Sequence, residues 1–142
     1  MPASTLQPIP VTAATNTLAA IGGYILCHAR TQAQVEAAQR LRYEVFNCEM
    51  DQGLALSHAS GRDEDPFDAV CDHLLVIERR SGAVVGTYRM QRGCDAARHH
   101  GYYCAREFHL DAYEPLRSTV LELGRACIHA RHRGFTVLSL LW

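Results

Sequence analysis

The chain has 142 residues, hydrophobic content of 48%, charged content of 20% and a formal net charge of −1, the profile of one soluble globular domain that buries roughly 68–70% of its unfolded surface. A balance so near neutrality argues against a general nucleic-acid binder. All 14 basic residues are arginine, so a Walker-type phosphate lysine and a Schiff-base lysine are both excluded.

Residues 1–22, rich in Pro, Ala and Thr and with the Gly22-Gly23 pair at their boundary, read as a disordered leader. They lack the basic start of a signal peptide, and no apolar run of ~18 residues follows anywhere. The expected setting is therefore a reducing cytoplasm. Tyr24 to His28 reads as a first strand. Thr31 with Gln34 forms a capping-box pattern, and Val35, Ala38, Leu41 and Val45 recur at helical spacing, which predicts a helix over 32–47 with Arg42 and Phe46 near its end. Residues 51–71 form a loop with the acidic run Asp63-Glu64-Asp65 and Asp68, for which a solvated surface is one reading.

Asp72 to Glu78 predicts a buried strand. Ser81-Gly82 turns the chain, and Ala83 to Met90 returns as the second arm of a hairpin, carrying Arg89, which needs a partner if it points inward. Residues 91–118 read as a long, partly helical crossover. Thr119 to His129 is the next strand, with Glu122 and Arg125 interrupting an otherwise apolar run; such residues are costly there unless paired or used. A bulge near Gly124 would bring both to one face. The basic turn Arg131-His132-Arg133-Gly134 and the apolar run Val137–Trp142 complete a strand–turn–helix order that aims backbone N–H groups at an anion. The helix breaks off at Trp142 after about two turns, without a polar face or a C-cap.

The six cysteines show no C-x-x-C pair and the eight histidines no H-E-x-x-H pattern, so no metal site is expected and the thiols read as small buried side chains. Charge is uneven. Residues 1–71 hold twice as many acidic as basic side chains, and residues 72–142 carry a basic excess. The first half suits an amine-bearing substrate and the second an acidic carrier or a phosphate.

Four stretches in order carry a resemblance: Leu41-Arg42-Tyr43-Glu44-Val45-Phe46; Asp65-Pro66-Phe67-Asp68 with Asp72-His73-Leu74-Leu75-Val76; Val85-Gly86-Thr87-Tyr88-Arg89-Met90; and Leu121-Glu122-Leu123-Gly124-Arg125. Together they resemble the GNAT-type N-acyltransferases, in particular the ornithine-lipid acyltransferase group, with the acyl-homoserine-lactone synthases as cousins, over about residues 23–142. The resemblance implies an α/β fold in which a mixed sheet is flanked by helices and the fourth and fifth strands splay around the acyl-pantetheine arm. It makes 119–129 the fourth strand, so the fifth strand onward is expected to be absent and the chain to be the N-terminal part of a longer domain.

The implied function is transfer of a (3-hydroxy)fatty acyl group to the α-amine of ornithine, the first step of ornithine-lipid formation. The implied donor is acyl carrier protein through its phosphopantetheine thioester, or acyl-CoA, with no bound cofactor. At most peripheral membrane association is implied. Glu122 and Arg125 become the catalytic pair, with Glu122 as base or amine-binding carboxylate; a structural ion pair between them is the alternative. Arg42, Phe46, Asp65, Asp68 and Arg89 become the substrate-binding group, and Arg131, Arg133, Gly134 and Thr136 the phosphopantetheine loop. Thr136 stands where that loop's pattern has a small residue. An acyl-homoserine-lactone synthase-like enzyme and an inactive fragment that binds a carrier or partner are the competing readings.

Overall fold

The computed structural model describes Pro8 and residues 16–142. Strands β1 (Thr17–Ile21) and β2 (Tyr24–His28) form a hairpin across Gly22-Gly23, with Ile21 opposite Tyr24 and Gly22 at a φ of 56°. This left-handed position suits a residue without a Cβ. Part of the expected leader is therefore structured. Residues 17–21 form a strand, Pro8 bridges Ala83, and residues 1–7 and 9–15 lie outside the described residues.

Helix α1 (Gln32–Arg42) starts where the capping box places it: Gln34 N–H donates to Thr31 Oγ1 and Thr31 N–H donates to Gln34 Oε1. The expected single helix to residue 47 instead changes winding after Arg42. Tyr43–Glu49 is π-helical, with Met50 N–H donating to the Val45 carbonyl five residues back. A short helix α2 (Ser57–Ser60) and a 3₁₀ turn (Pro66–Ala69) punctuate the acidic loop. Strands β3 (Asp72–Glu78) and β4 (Val84–Arg92) make the predicted hairpin. Helix α3 (Gly93–Arg98) and two 3₁₀ turns (Tyr103–Arg106, Asp111–Leu116) fill the crossover to β5 (Leu121–Ile128). After a 3₁₀ turn at Ala130–His132 comes α4 (Phe135–Leu141).

The strands form one sheet in the order β1-β2-β3-β4-β5, every pairing antiparallel. This corrects two expectations. A mixed sheet was expected, but each connection, however long, returns at the end of the sheet it left, so neighbours run antiparallel. A fifth strand was expected to be absent, but the sheet has five, because 17–21 contribute one; the strand expected as the fourth is the fifth in chain order. It is paired with β4 from Gly86↔Ile128 to Arg92↔Leu121.

Each face of the sheet has its own core. Ala37, Ala38, Leu41 and Val45 pack on Cys27, Leu75, Ile77 and Cys127. On the other face Val137, Leu140 and Leu141 of α4 pack on Val76, Val85 and Tyr88. Gly86 permits the close crossing of α4, since a Cβ there would lie 3.1 Å from Val137 Cγ1 and 3.3 Å from Leu141 Cδ1. The apolar run 137–142 is thus buried on one side, while Phe135, Leu138 and Trp142 are exposed.

Candidate active site

Pairing with β4 sets the face each β5 side chain presents. Glu122 lies opposite Gln91 and Gly124 opposite Arg89, and then the register shifts, so that Arg125 and Ala126 together face Tyr88 before Cys127 meets Thr87. This is a bulge, one residue beyond the expected Gly124. Arg125 takes a φ of 51° there, a conformation that costs a non-glycine residue about 1–2 kcal/mol. The bulge turns Arg125 to the α1 side of the sheet, the side that carries Arg89 and Glu122. Its guanidinium lies over the Phe46 ring, 4.3 Å from the centroid, and pairs with Asp63.

Beneath α1 the charged groups close into a network. Arg42 and Asp63 are each only 1% exposed. Arg42 Nε donates to Asp63 Oδ1 at 2.9 Å, and its Nη2 to Asp68 Oδ2 at 2.7 Å. Arg89 Nη1 donates to Asp65 Oδ1 at 2.7 Å and Asp68 Oδ1 at 2.9 Å. Gln39 adds an amide N–H to Asp68 Oδ2. Three guanidinium groups thus face three carboxylates, which offsets their desolvation. The 3₁₀ turn at Pro66–Ala69 is capped by the same acids, with Phe67 N–H on Asp65 Oδ1 and Asp65 N–H on Asp68 Oδ2.

A solvated surface therefore describes Glu64, which is exposed, and not Asp63 or Asp68. Burial pushes the Asp68 carboxyl upward, but Arg42 and Arg89 outweigh it and hold it below the usual carboxylate range. For Arg89 burial works against the charge, and Asp65 and Asp68 restore and raise its basicity.

Glu122 stands apart from this network, and Arg125 pairs with Asp63 instead of with it. Glu122 anchors the crossover: Oε2 accepts from Tyr103 N–H at 2.9 Å and from Gln91 Nε2 at 3.1 Å, and Oε1 accepts from Cys104 N–H at 2.9 Å. With Cys71, Arg89, Tyr103 and Cys104 it lines a cavity of about 90 Å³. A carboxylate has about four lone-pair sites; two backbone N–H groups and the Gln91 amide take three, and the Cys104 thiol also faces the carboxylate. Burial pushes the Cys71 and Cys104 thiols up to about 11, too high for either to serve as a thiolate near neutrality.

The loop 131–136 is open. Arg131 and Gly134 are exposed and Thr136 is half-buried; a Cβ at Gly134 would meet nothing within 4 Å. Arg133 is engaged, its two terminal nitrogens on the two Glu49 oxygens at 2.5 and 2.6 Å and its Nε on the Ile128 carbonyl at 3.1 Å. Beside it a groove of about 270 Å³ runs between β5 and α4, lined by Tyr88, Cys127, Ile128, Leu138 and Trp142. Among the described residues, no group of three or more His, Cys, Asp or Glu side chains is placed to hold a metal ion, and no helix is long and apolar enough to cross a membrane.

Arg42, Phe46, Asp65, Asp68, Arg89 and Arg125 are thus brought together, Glu122 lies on the neighbouring cavity that Arg89 also lines, and Arg131–Thr136 forms a separate loop after β5. Sequence reasoning missed Asp63 and Gln39, and also His73, whose Nε2 donates to the Asp68 carbonyl at 3.0 Å. A signal for Asp63 existed: three arginines on apolar elements need three partners, and only Asp65 and Asp68 had been assigned. Gln39 and His73 carried none.

Sheet, bulge and terminal helix define the class. Residues 41–142 match the family described as an acetyltransferase (GNAT) domain, and the chain belongs to that family. It is 37% identical over 120 residues to the L-ornithine N(alpha)-acyltransferase of Rhodobacter capsulatus, covering 80% of this chain and 46% of that protein. To its namesake from Agrobacterium fabrum it is 39% identical over 123 residues, covering 80% and 42%, and to that from Brucella abortus 35% over 133 residues, covering 88% and 47%. The chain therefore spans less than half the length of these curated relatives. The crystal structure of the AHL synthase LasI shares the fold, with a TM-score of 0.51 and 18% identity over 82% of this chain and 60% of that one.

Proposed function

We propose that the chain contributes the catalytic strand and the amine side of an N-acyltransferase that moves an acyl group from a phosphopantetheine thioester, carried by acyl carrier protein or coenzyme A, to the α-amine of ornithine. The observation that carries this reading is the 35–39% identity to L-ornithine N(alpha)-acyltransferases over 80–88% of the chain, beside a family match at residues 41–142 that contains the ion network and β5. In the reaction the neutral amine attacks the thioester carbonyl, the C–N bond forms, the C–S bond breaks, and the thiol leaves with a proton. Direct transfer is favoured over a covalent relay, because the two thiols beside Glu122 stay protonated.

Glu122 takes the ammonium proton or holds the amine, and the ion network fixes the loop beside it. The donor's phosphate lies at Arg131–Thr136, its pantetheine arm along the groove beside β5, and association with a membrane, where it occurs, is peripheral. Glu122→Gln keeps shape and removes the base. If Glu122 transfers the proton, ornithine acylation falls roughly 10²–10⁴-fold in kcat; if it only binds the amine, the loss appears as a raised KM for ornithine with kcat little changed. Wild-type values for both would leave Glu122 as an anchor of the crossover and overturn its catalytic role.

A further inference from the structure

The end of the sheet that carries residues 131–136 also carries the turn between β3 and β4. Tyr24 pairs with Glu78, Arg79 N–H donates to the Gly23 carbonyl at 2.8 Å, and the Tyr24 hydroxyl lies 3.0 Å from His132 Nδ1. His129 N–H donates to the Val85 carbonyl at 2.9 Å. The chain leaving β5 therefore passes over the root of this turn before α4 begins.

The carboxylates nearest the loop are engaged: Glu49 with Arg133, Glu44 with His129, and Glu78 with the Ser81 hydroxyl. Arg79, Arg80 and Arg131 are exposed and form no ion pair among the described residues. Exposed arginines elsewhere are neutralised by a neighbour in sequence, Arg92 and Arg98 by Asp95 and Arg117 by Glu114, or stand singly, as Arg30 and Arg106 do. Three free guanidinium groups gathered at one end of the sheet stabilise nothing in the fold, repel one another, and attract an anionic partner. Beside them Phe135, the first residue of α4, is 85% exposed. An exposed aromatic ring with a charged rim is the composition of a protein interface. The engaged carboxylates between the arginines favour a patterned protein surface over a lipid surface of uniform negative charge.

We propose that the β3–β4 turn and the start of α4, through Arg79, Arg80 and Phe135, form the docking surface for an acidic protein face, that of the carrier on which the donor thioester arrives. That the partner is the donor's carrier rests on the acyl-transfer reading; that it is an acidic protein rests on this rim.

The test compares two probes that share the phosphopantetheine arm and differ in the protein attached to it. Holo acyl carrier protein and coenzyme A are each titrated into the chain and into Arg79→Glu/Arg80→Glu. Both side chains are exposed, so the melting temperature is expected to stay. Carrier binding is expected to weaken roughly tenfold at low salt with coenzyme A binding unchanged, because only the carrier brings an acidic surface to the rim. The neutral pair Arg79→Gln/Arg80→Gln is expected to fall between wild type and the reversal. Unchanged carrier affinity in either folded variant overturns the surface. Equal weakening of both probes makes the arginines phosphate ligands and overturns it as well. Binding to phosphatidylglycerol vesicles, with none to the carrier, reassigns the rim to a lipid surface. A wild-type chain that acylates ornithine from coenzyme A and binds no carrier removes the docking surface and leaves acyl transfer standing. Carrier binding that the reversal weakens, in a protein that acylates nothing, upholds the surface and removes the catalytic reading instead.

Discussion

Asp63 holds two guanidinium groups at once, Arg42 through Oδ1 and Arg125 through Oδ2, and so ties α1 to the bulge of β5. Asp63→Ala leaves both cations facing a buried gap. The expected loss is about 3–5 kcal/mol of stability, read as a lower denaturant midpoint at unchanged slope; a midpoint within error of the wild type would make the network dispensable. The same residue shows where sequence reading stops. Arg42, Asp65, Asp68 and Arg89 could be grouped by complementary charge, because a buried arginine demands a carboxylate. Which of four acids in a short loop points inward depends on the turn at 66–69 and on the path of the preceding chain, and no local pattern encodes either. Gln39 and His73 were illegible for a related reason. An amide on a helix and a ring on a strand both meet Asp68 only after the acidic loop has folded against them.

At the scale of elements, the capping box, the β3–β4 hairpin and the strand–turn–helix ending were readable, since each rests on neighbours within a few residues. The π-helical winding of 43–49 and strand β1 were not. The first shows itself in an i→i−5 bond that side-chain periodicity does not report, and the second needs the edge of β2 before Thr17–Ile21 can pair. The loop before α4 gives the prediction of this scale. Gly134 has open space at its Cβ and a φ of −131°, so an aspartate fits without strain. If the donor phosphate sits there, Gly134→Asp sets a negative charge against it and is expected to weaken acyl-carrier binding at least tenfold at low salt, with the melting temperature kept, because a full charge in the first turn acts directly on a neighbouring anion. Unchanged affinity in a folded variant would move the phosphate elsewhere.

For the molecule as a whole, the buried titratable groups set a pH window. The native pKa of His73 lies below its ordinary 6.5 and that of Asp68 below 3.8. In both cases the unfolded chain takes up a proton that the native state refuses, so stability is complete above the ordinary value and is lost as the pH falls through the depressed native one. The thiols with raised pKa act in the opposite sense. Cys127 is raised from 9.0 to about 12, and Cys71 and Cys104 to about 11, so the unfolded chain releases protons first and stability falls as the pH rises beyond 9.0. Thermal denaturation across pH 4 to 10.5 should show a plateau between about 6.5 and 9 with a decline on each side; a melting temperature that climbs steadily through pH 10 would contradict it. A clasp of Glu49 on Arg133, both half in solvent, joins residues 84 positions apart. An anion that takes Arg133 does not occupy a waiting charge; it displaces a carboxylate, and one ion pair is exchanged for another. Added salt weakens the pair that is broken as well as the pair that is formed. If the donor's phosphate binds at residues 131–136, its affinity should therefore depend on ionic strength less steeply than the number of arginines in that loop suggests, and a shallow salt slope would be the thermodynamic signature of that exchange.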